Sequence, residues 1–198
     1  MDIEKLEKNL CKKGFDFARF QTGAEAADYI AASLSGKSVG IGGSMTVQQL
    51  GLYEKLRQSN RVIWHLVDGK TDEIMSAACN AEVYITSANA VSETGDILNI
   101  DGRGNRLAGT LMRKEKVYII IGSNKVAPDF DAALERARNI AAPANCKRLE
   151  KKTPCAVSDH CFDCQSSERI CNALLVFWHK PGWCDSMEVV LVDEELGF

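Results

Sequence analysis

Lys37-Ser38-Val39-Gly40-Ile41-Gly42-Gly43-Ser44-Met45-Thr46-Val47-Gln48-Gln49-Leu50 is the stretch whose reading decides the fold. An apolar run ends in glycines, and a helix-period pattern follows at once, with Val47, Leu50 and Leu56 on one side over 46–58. That is a strand, a tight turn and a helix. The same alternation recurs on both sides of it. RVIWHLV (61–67), EVYITSA (82–88) and KVYIIIG (116–122) read as strands. Between them, Thr71 caps a short helix ending near Asn80, and 105–113 and 129–140 read as helices. Upstream, residues 2–13 form an amphipathic helix stopped by Gly14, FDFARF (15–20) suits an edge strand, and Thr22 with Glu25 forms a capping box opening a helix that Gly36 closes. Continuous apolar runs are expected of parallel strands covered on both faces. The prediction is an α/β fold with a doubly wound, mostly parallel sheet, organised as a single domain over 1–198. After Pro143 the periodicity stops. A Cys-rich insert occupies about 146–172, and LLVFWHK and MEVVLVDE then look like a closing hairpin or two final strands.

Bulk properties narrow the function. The chain has 198 residues, a net charge of −3 and scattered basic residues, which gives nucleic acid no electrostatic footprint. No apolar run approaches the ~20 residues of a membrane span, and MDIEKLEKNL lacks a signal-peptide core. A cytoplasmic protein is the expectation.

Four places could carry chemistry. At the glycine turn, backbone N–H groups, the helix N-terminus and the Ser44 and Thr46 hydroxyls would surround an anion, with Gly42 and Gly43 allowing close approach. A plain β–α turn with a Ser or Thr helix cap gives the same pattern. The turn lacks the Gly-Lys-Ser/Thr of a Walker loop, and Met45 stands where a dinucleotide fingerprint has its third glycine. The second place is TSANAVSETGDILNIDGRGNR (86–106), with Glu93, Asp96, Asp101 and Asn105 as candidate polar groups. A carboxylate there would serve as general base or nucleophile, whereas turn chemistry accounts equally for Asp96 and Asp101. The third is Lys125 in Gly122-Ser123-Asn124-Lys125, which would neutralise a phosphate or carboxylate or else sit in a solvated loop. The fourth is Cys155-x5-Cys161-x2-Cys164-x6-Cys171, which suits a sulfur-ligated zinc or an iron–sulfur cluster, with free thiols as the alternative. His65 and His179 lie in apolar runs and read as core histidines.

Taken together, VGIGGSMTVQQLG (39–51), YITSANAVSETGDILNIDGRGNRLA (84–108), IIIGSNKVAPD (119–129), AAPANCKRL (141–149) and PCAVSDHCFDCQSSERIC (154–171) resemble a family. The chain is similar, over nearly its whole length, to the LUD domain of lactate-utilization proteins, in particular the short single-domain members related to lactate-utilization protein C. The resemblance implies a fold like that of ribose-5-phosphate isomerase, glucosamine-phosphate deaminase and the CoA transferases. Of the acids, the resemblance carries only Glu93 into a catalytic role, that of the CoA transferases' glutamate nucleophile; Asp101 is the second catalytic candidate from the residues themselves, and Gly42, Gly43, Ser44, Thr46, Asn105 and Lys125 are the candidate ligand site for a small carboxylate or phosphate. Functionally the resemblance implies an accessory or electron-transfer part in the oxidation of L-lactate to pyruvate, beside iron–sulfur lactate-utilization partners. A stand-alone enzyme on sugar phosphates or CoA esters and a non-catalytic ligand-binding domain are the alternatives.

Overall fold

The computed structural model describes residues 1–198. In chain order its elements begin with α1 (Ile3–Lys12), β1 (Asp16–Phe20), α2 (Gly23–Ala32), β2 (Ser38–Ile41), α3 (Met45–Gln49), α4 (Leu52–Leu56), β3 (Arg61–Trp64) and α5 (Asp72–Cys79). They continue with β4 (Val83–Ser87), β5 (Ala90–Ser92), β6 (Ile97–Asp101), α6 (Asn105–Leu111), β7 (Lys114–Gly122) and β8 (Val126–Ala127). Then come α7 (Phe130–Arg136), a π-helical stretch Ala137–Ala141, α8 (Ala142–Arg148), α9 (Pro154–Ser158), β9 (Ala173–Phe177) and β10 (Cys184–Val192).

Six strands form a parallel sheet in the order β1-β10-β7-β4-β2-β3. The apolar runs split across its two faces with the strand period of two. On β7, Tyr118 and Ile120 pack into one core with Val39, Ile41, Val47 and Val190, while Val117, Ile119 and Ile121 pack into the other with Leu6, Leu10, Val189 and Leu191. Each buried Ile or Val is worth about 1.5–3 kcal/mol. Exposed ion pairs such as Arg57–Glu54 are worth less than about 1 kcal/mol, so the two apolar faces set the architecture. The doubly wound, mostly parallel reading of the sequence therefore holds.

The local signals behave as their chemistry requires. Thr22 and Glu25 make a full capping box, and the Thr71 hydroxyl accepts the Ile74 N–H at 3.3 Å. Two expectations are corrected. The helix over 46–58 is two short helices, because Gly51 sits in the left-handed region at φ 61° and breaks the ladder. The last two strands are not a hairpin: β9 lies antiparallel to β6 in a second sheet ordered β8-β5-β6-β9, while β10 enters the large sheet between β1 and β7.

The winding fixes where a ligand can enter. The chain steps from β2 outward to β3 and then returns to β4 on the other side of β2. Loops leaving the carboxyl ends of β2 and β4 therefore diverge, and such a switch point opens a crevice.

Candidate functional site

The crevice is a cavity of about 700 Å³. Its floor is made by the turn after β2, the end of β4, and the 3₁₀ turn Ser123–Lys125 after β7. Gly40 brings β2 against α5: a Cβ there would lie 2.0 Å from the Ala78 carbonyl oxygen, so no other residue fits. Gly43 leaves room for His65, whose ring would stand 3.3 Å from a Cβ at that position. Neither Gly42 nor Gly43 adopts a positive φ. The glycines serve close packing, and a left-handed turn is not involved.

Ser44 caps α3 by accepting the Val47 N–H at 3.2 Å. The helix dipole expected behind it contributes little, because α3 has only five residues. Cationic side chains supply the positive field. Lys125 is 4% exposed, and its Nζ donates to Thr46 Oγ1 at 2.8 Å and Ser87 Oγ at 2.9 Å. No carboxylate pairs with it. Burial, then Arg136 and Arg106, bring its pKa down to about 7. Arg106, from the first turn of α6, donates to Asn89 Oδ1 at 3.3 Å, with the Asp101 carboxylate 3.9 Å from its Nε. Arg136, from α7, is held by carbonyl oxygens alone, those of Asn124 at 2.7 Å and of Asn89. Burial depresses the pKa of both arginines. Farther out the cavity is lined by Lys70, Arg103, Arg148, Lys151 and Arg169, with Asp101 and Glu168 as the acids among its lining residues.

Gly43, Ser44, Thr46, Asp101, Asn105 and Lys125 thus meet around one cavity. Gly42 lies just behind it, accepting Trp64 Nε1–H at 3.1 Å through its carbonyl. Asp101 also orders its own turn, accepting the backbone N–H groups of Arg103 at 3.3 Å and Arg106 at 3.0 Å. Glu93 is elsewhere. It sits at the β5–β6 turn, 7% exposed, and its carboxylate accepts the Asp2 N–H at 2.7 Å and Lys5 Nζ–H at 3.2 Å. The Asp2 bond, with Lys5, holds that carboxyl below its ordinary range. Glu93 ties α1 to the small sheet and does not face the cavity, so the geometry gives it a structural role in place of the catalytic one expected. Ser87 and Arg106 line the cavity, and Arg136, which acts on Lys125 from outside that lining, was not singled out by sequence reasoning. The signal for Arg136 was a charge on the same helix face as buried Ala133 and Ala137. His65, expected in the core, lines the cavity.

The cysteine segment forms a wall of this cavity through Ser167, Glu168, Arg169, Ile170 and Asn172. Arg169 organises it, donating to the carbonyl oxygens of Cys164 at 2.8 Å and Cys171 at 3.1 Å and to Asp163 Oδ1 at 2.9 Å. Cys155 is buried beside the Thr153 hydroxyl at 3.3 Å and next to Cys146, whose thiol burial pushes up to about 11. Cys161 Sγ accepts the Asp163 N–H at 3.4 Å. As arranged, Cys155, Cys161, Cys164 and Cys171 do not form a ligand set: no group of three or more His, Cys, Asp or Glu side chains is placed to hold a metal ion. No helix is long and apolar enough to cross a membrane.

Comparison with known proteins agrees with this architecture. No curated protein matches the chain. The crystal structure of a DUF162 family protein from Deinococcus radiodurans is similar, with a TM-score of 0.57 and 14% sequence identity over 96% of this chain and 95% of that one. That likeness concerns the fold. The LUD domain model matches residues 3–192, almost end to end, and the chain belongs to the LUD domain family.

Proposed function

We propose that this protein is an accessory component of lactate utilization whose cavity takes a small carboxylate or phosphate. One observation carries the reading: Lys125 is buried without a carboxylate partner, and Arg106 and Arg136 stand close enough to lower its pKa. Burying cations without counter-charge is costly, and an anion entering the cavity relieves that cost. The Thr46 and Ser87 hydroxyls accept from Lys125 Nζ and hold the amine in place. The lactate context comes from the family, and iron–sulfur partner proteins would complete the oxidation of L-lactate to pyruvate.

A second reading draws on size. About 700 Å³ exceeds what lactate fills, and the outer cations Arg148, Lys151 and Arg169 suit a longer polyanion, such as a sugar phosphate or CoA ester handled by a stand-alone enzyme. A thermal-shift panel of L-lactate, pyruvate, phosphosugars and CoA esters separates the two. A ligand at a hundredfold excess over Kd stabilises by about 2.7 kcal/mol. The first reading expects the hydroxy or oxo acid to shift wild type but not Arg106→Met. A panel in which nothing shifts the transition overturns both.

A further inference from the structure

We propose that Lys125 is an amine nucleophile that condenses with an acidic carbonyl compound, a 2-oxo acid being the smallest, to form an imine; the proposal rests on the anion-pocket reading above. The geometry is that of a prepared amine. Its Nζ lies on the cavity floor, its side-chain partners are the Thr46 and Ser87 hydroxyls at 2.8 and 2.9 Å, and no carboxylate holds it cationic. Arg136 on α7 and Arg106 on α6 are the charged groups that act on it. An ordinary lysine is neutral in about one molecule in a few thousand at pH 7. Burial, Arg136 and Arg106 bring this one to about 7, so much of the population carries a free electron pair. The same burial and neighbours that favour an anion in the cavity also leave the Lys125 amine free of a proton until that anion arrives. A lysine that must attack a carbonyl needs them.

The step balances without a further reactant. The Lys125 nitrogen forms a bond to the carbonyl carbon, and the carbonyl π electrons move to oxygen. A proton passes from nitrogen to that oxygen, with the Ser87 or Thr46 hydroxyl positioned to relay it, giving a carbinolamine. The C–O bond then breaks as the remaining N–H proton passes to the departing oxygen through the same hydroxyls, so water leaves and a neutral imine remains, which takes a proton from solvent to become the iminium that cyanoborohydride reduces. Arg106 also lines the cavity and would meet the acid group of the compound.

Reductive trapping tests this. The full chain is incubated at pH 7 with sodium cyanoborohydride and either pyruvate, glyoxylate or acetone, then analysed by intact mass and peptide mapping. The expected result is one reduced adduct per chain from the two oxo acids, mapped to Lys125, and none from acetone, which lacks the acid group. Lys125→Arg, which keeps the charge but not the nucleophile, is expected to lose the adduct completely. Mapping the wild-type protein decides the question even where that variant folds poorly. Adducts scattered over exposed lysines, or none at Lys125, overturn the proposal. A parallel thermal-shift titration with L-lactate and pyruvate keeps the two failures apart. Binding without an adduct removes the imine and leaves the anion reading standing, whereas absence of both removes both.

Discussion

The molecule buries charge in two regions and treats it in opposite ways. At the β5–β6 turn, Glu93 and Asp96 are each answered by a cation from α1 or its C-cap: Lys5 at 3.2 Å and Lys13 at 2.7 Å. Hydroxyls of Ser92 and Thr94 complete the shell of Asp96 at 2.8 Å each. At the cavity, Lys125 has only hydroxyl oxygens around its Nζ and Arg106 one distant carboxylate, and Arg136 nearby is held by carbonyl oxygens alone. A buried charge with a complete shell is a clasp between elements. A buried charge lacking its counter-charge is poised for something that arrives from outside. The contrast sets a clasped hairpin against a floor that the proposed anion would complete.

The largest expected effect comes from the floor. An unfolded lysine titrates near 10.4, whereas folded Lys125 titrates at about 7. Between those values the unfolded chain binds more protons, so stability rises with pH and is lost again as pH falls through the folded pKa. One proton contributes at most about 1.4 kcal/mol per pH unit, giving wild type a gain of about 3–4 kcal/mol from pH 7 to 10 relative to Lys125→Met. Urea unfolding of both proteins at pH 7 and 9.5 checks it, and parallel pH curves would erase the contrast.

Next is the clasp itself. Asp96→Ala strands Lys13 and two hydroxyls and should cost about 2–3 kcal/mol, with ligand binding untouched. Burial alone would raise the Asp96 pKa, but Lys13, Thr94 and Ser92 overcome it and hold the group below its ordinary value. Its contribution is therefore present above the unfolded pKa and lost as pH falls through the folded one, which an acid-denaturation series of wild type and Asp96→Ala reads out. A smaller loss, about 1–2 kcal/mol, is expected of Glu93→Gln, again with unchanged affinity for anions. A Glu93→Gln protein of normal stability that no longer handles ligand would reverse the assignment. The smallest effect belongs to the outer wall. Arg148→Ala and Lys151→Ala should weaken binding of a small anion by less than about 1 kcal/mol, and less still in high salt, as a salt series of affinities would show.

Local signals in the sequence carried most of the fold. The strand runs, the Thr22–Glu25 box and the Thr71 cap depend on neighbours within a few positions, and each appears where expected. Pairing does not work that way. MEVVLVDE and LLVFWHK both alternate or run apolar, but nothing in either says that β9 seeks β6 and β10 seeks β7 and β1. The site divides likewise. Ser44, Thr46, Asn105 and Lys125 could be placed because loops at strand ends converge at a switch point. That Glu93 lies away from the cavity was not legible, because its answering cation, Lys5, lies 88 positions away. Arg136 was passed over because a charge reads as surface until its burial is known. The cysteines show the same limit: their spacing suits a metal, while Arg169 occupies the carbonyl oxygens that shape the loop.

The most direct measurement is proton uptake on anion binding. L-Lactate, fully ionised and without a carbonyl, is titrated calorimetrically into wild type at pH 8 in two buffers of different ionisation heat. An anion settling beside a neutral Lys125 favours its protonated form, so binding should draw in close to one proton, and Lys125→Met should draw in none. Binding with no uptake, equal uptake in the variant, or no binding at all would contradict the claim that the unpaired floor is the ligand site.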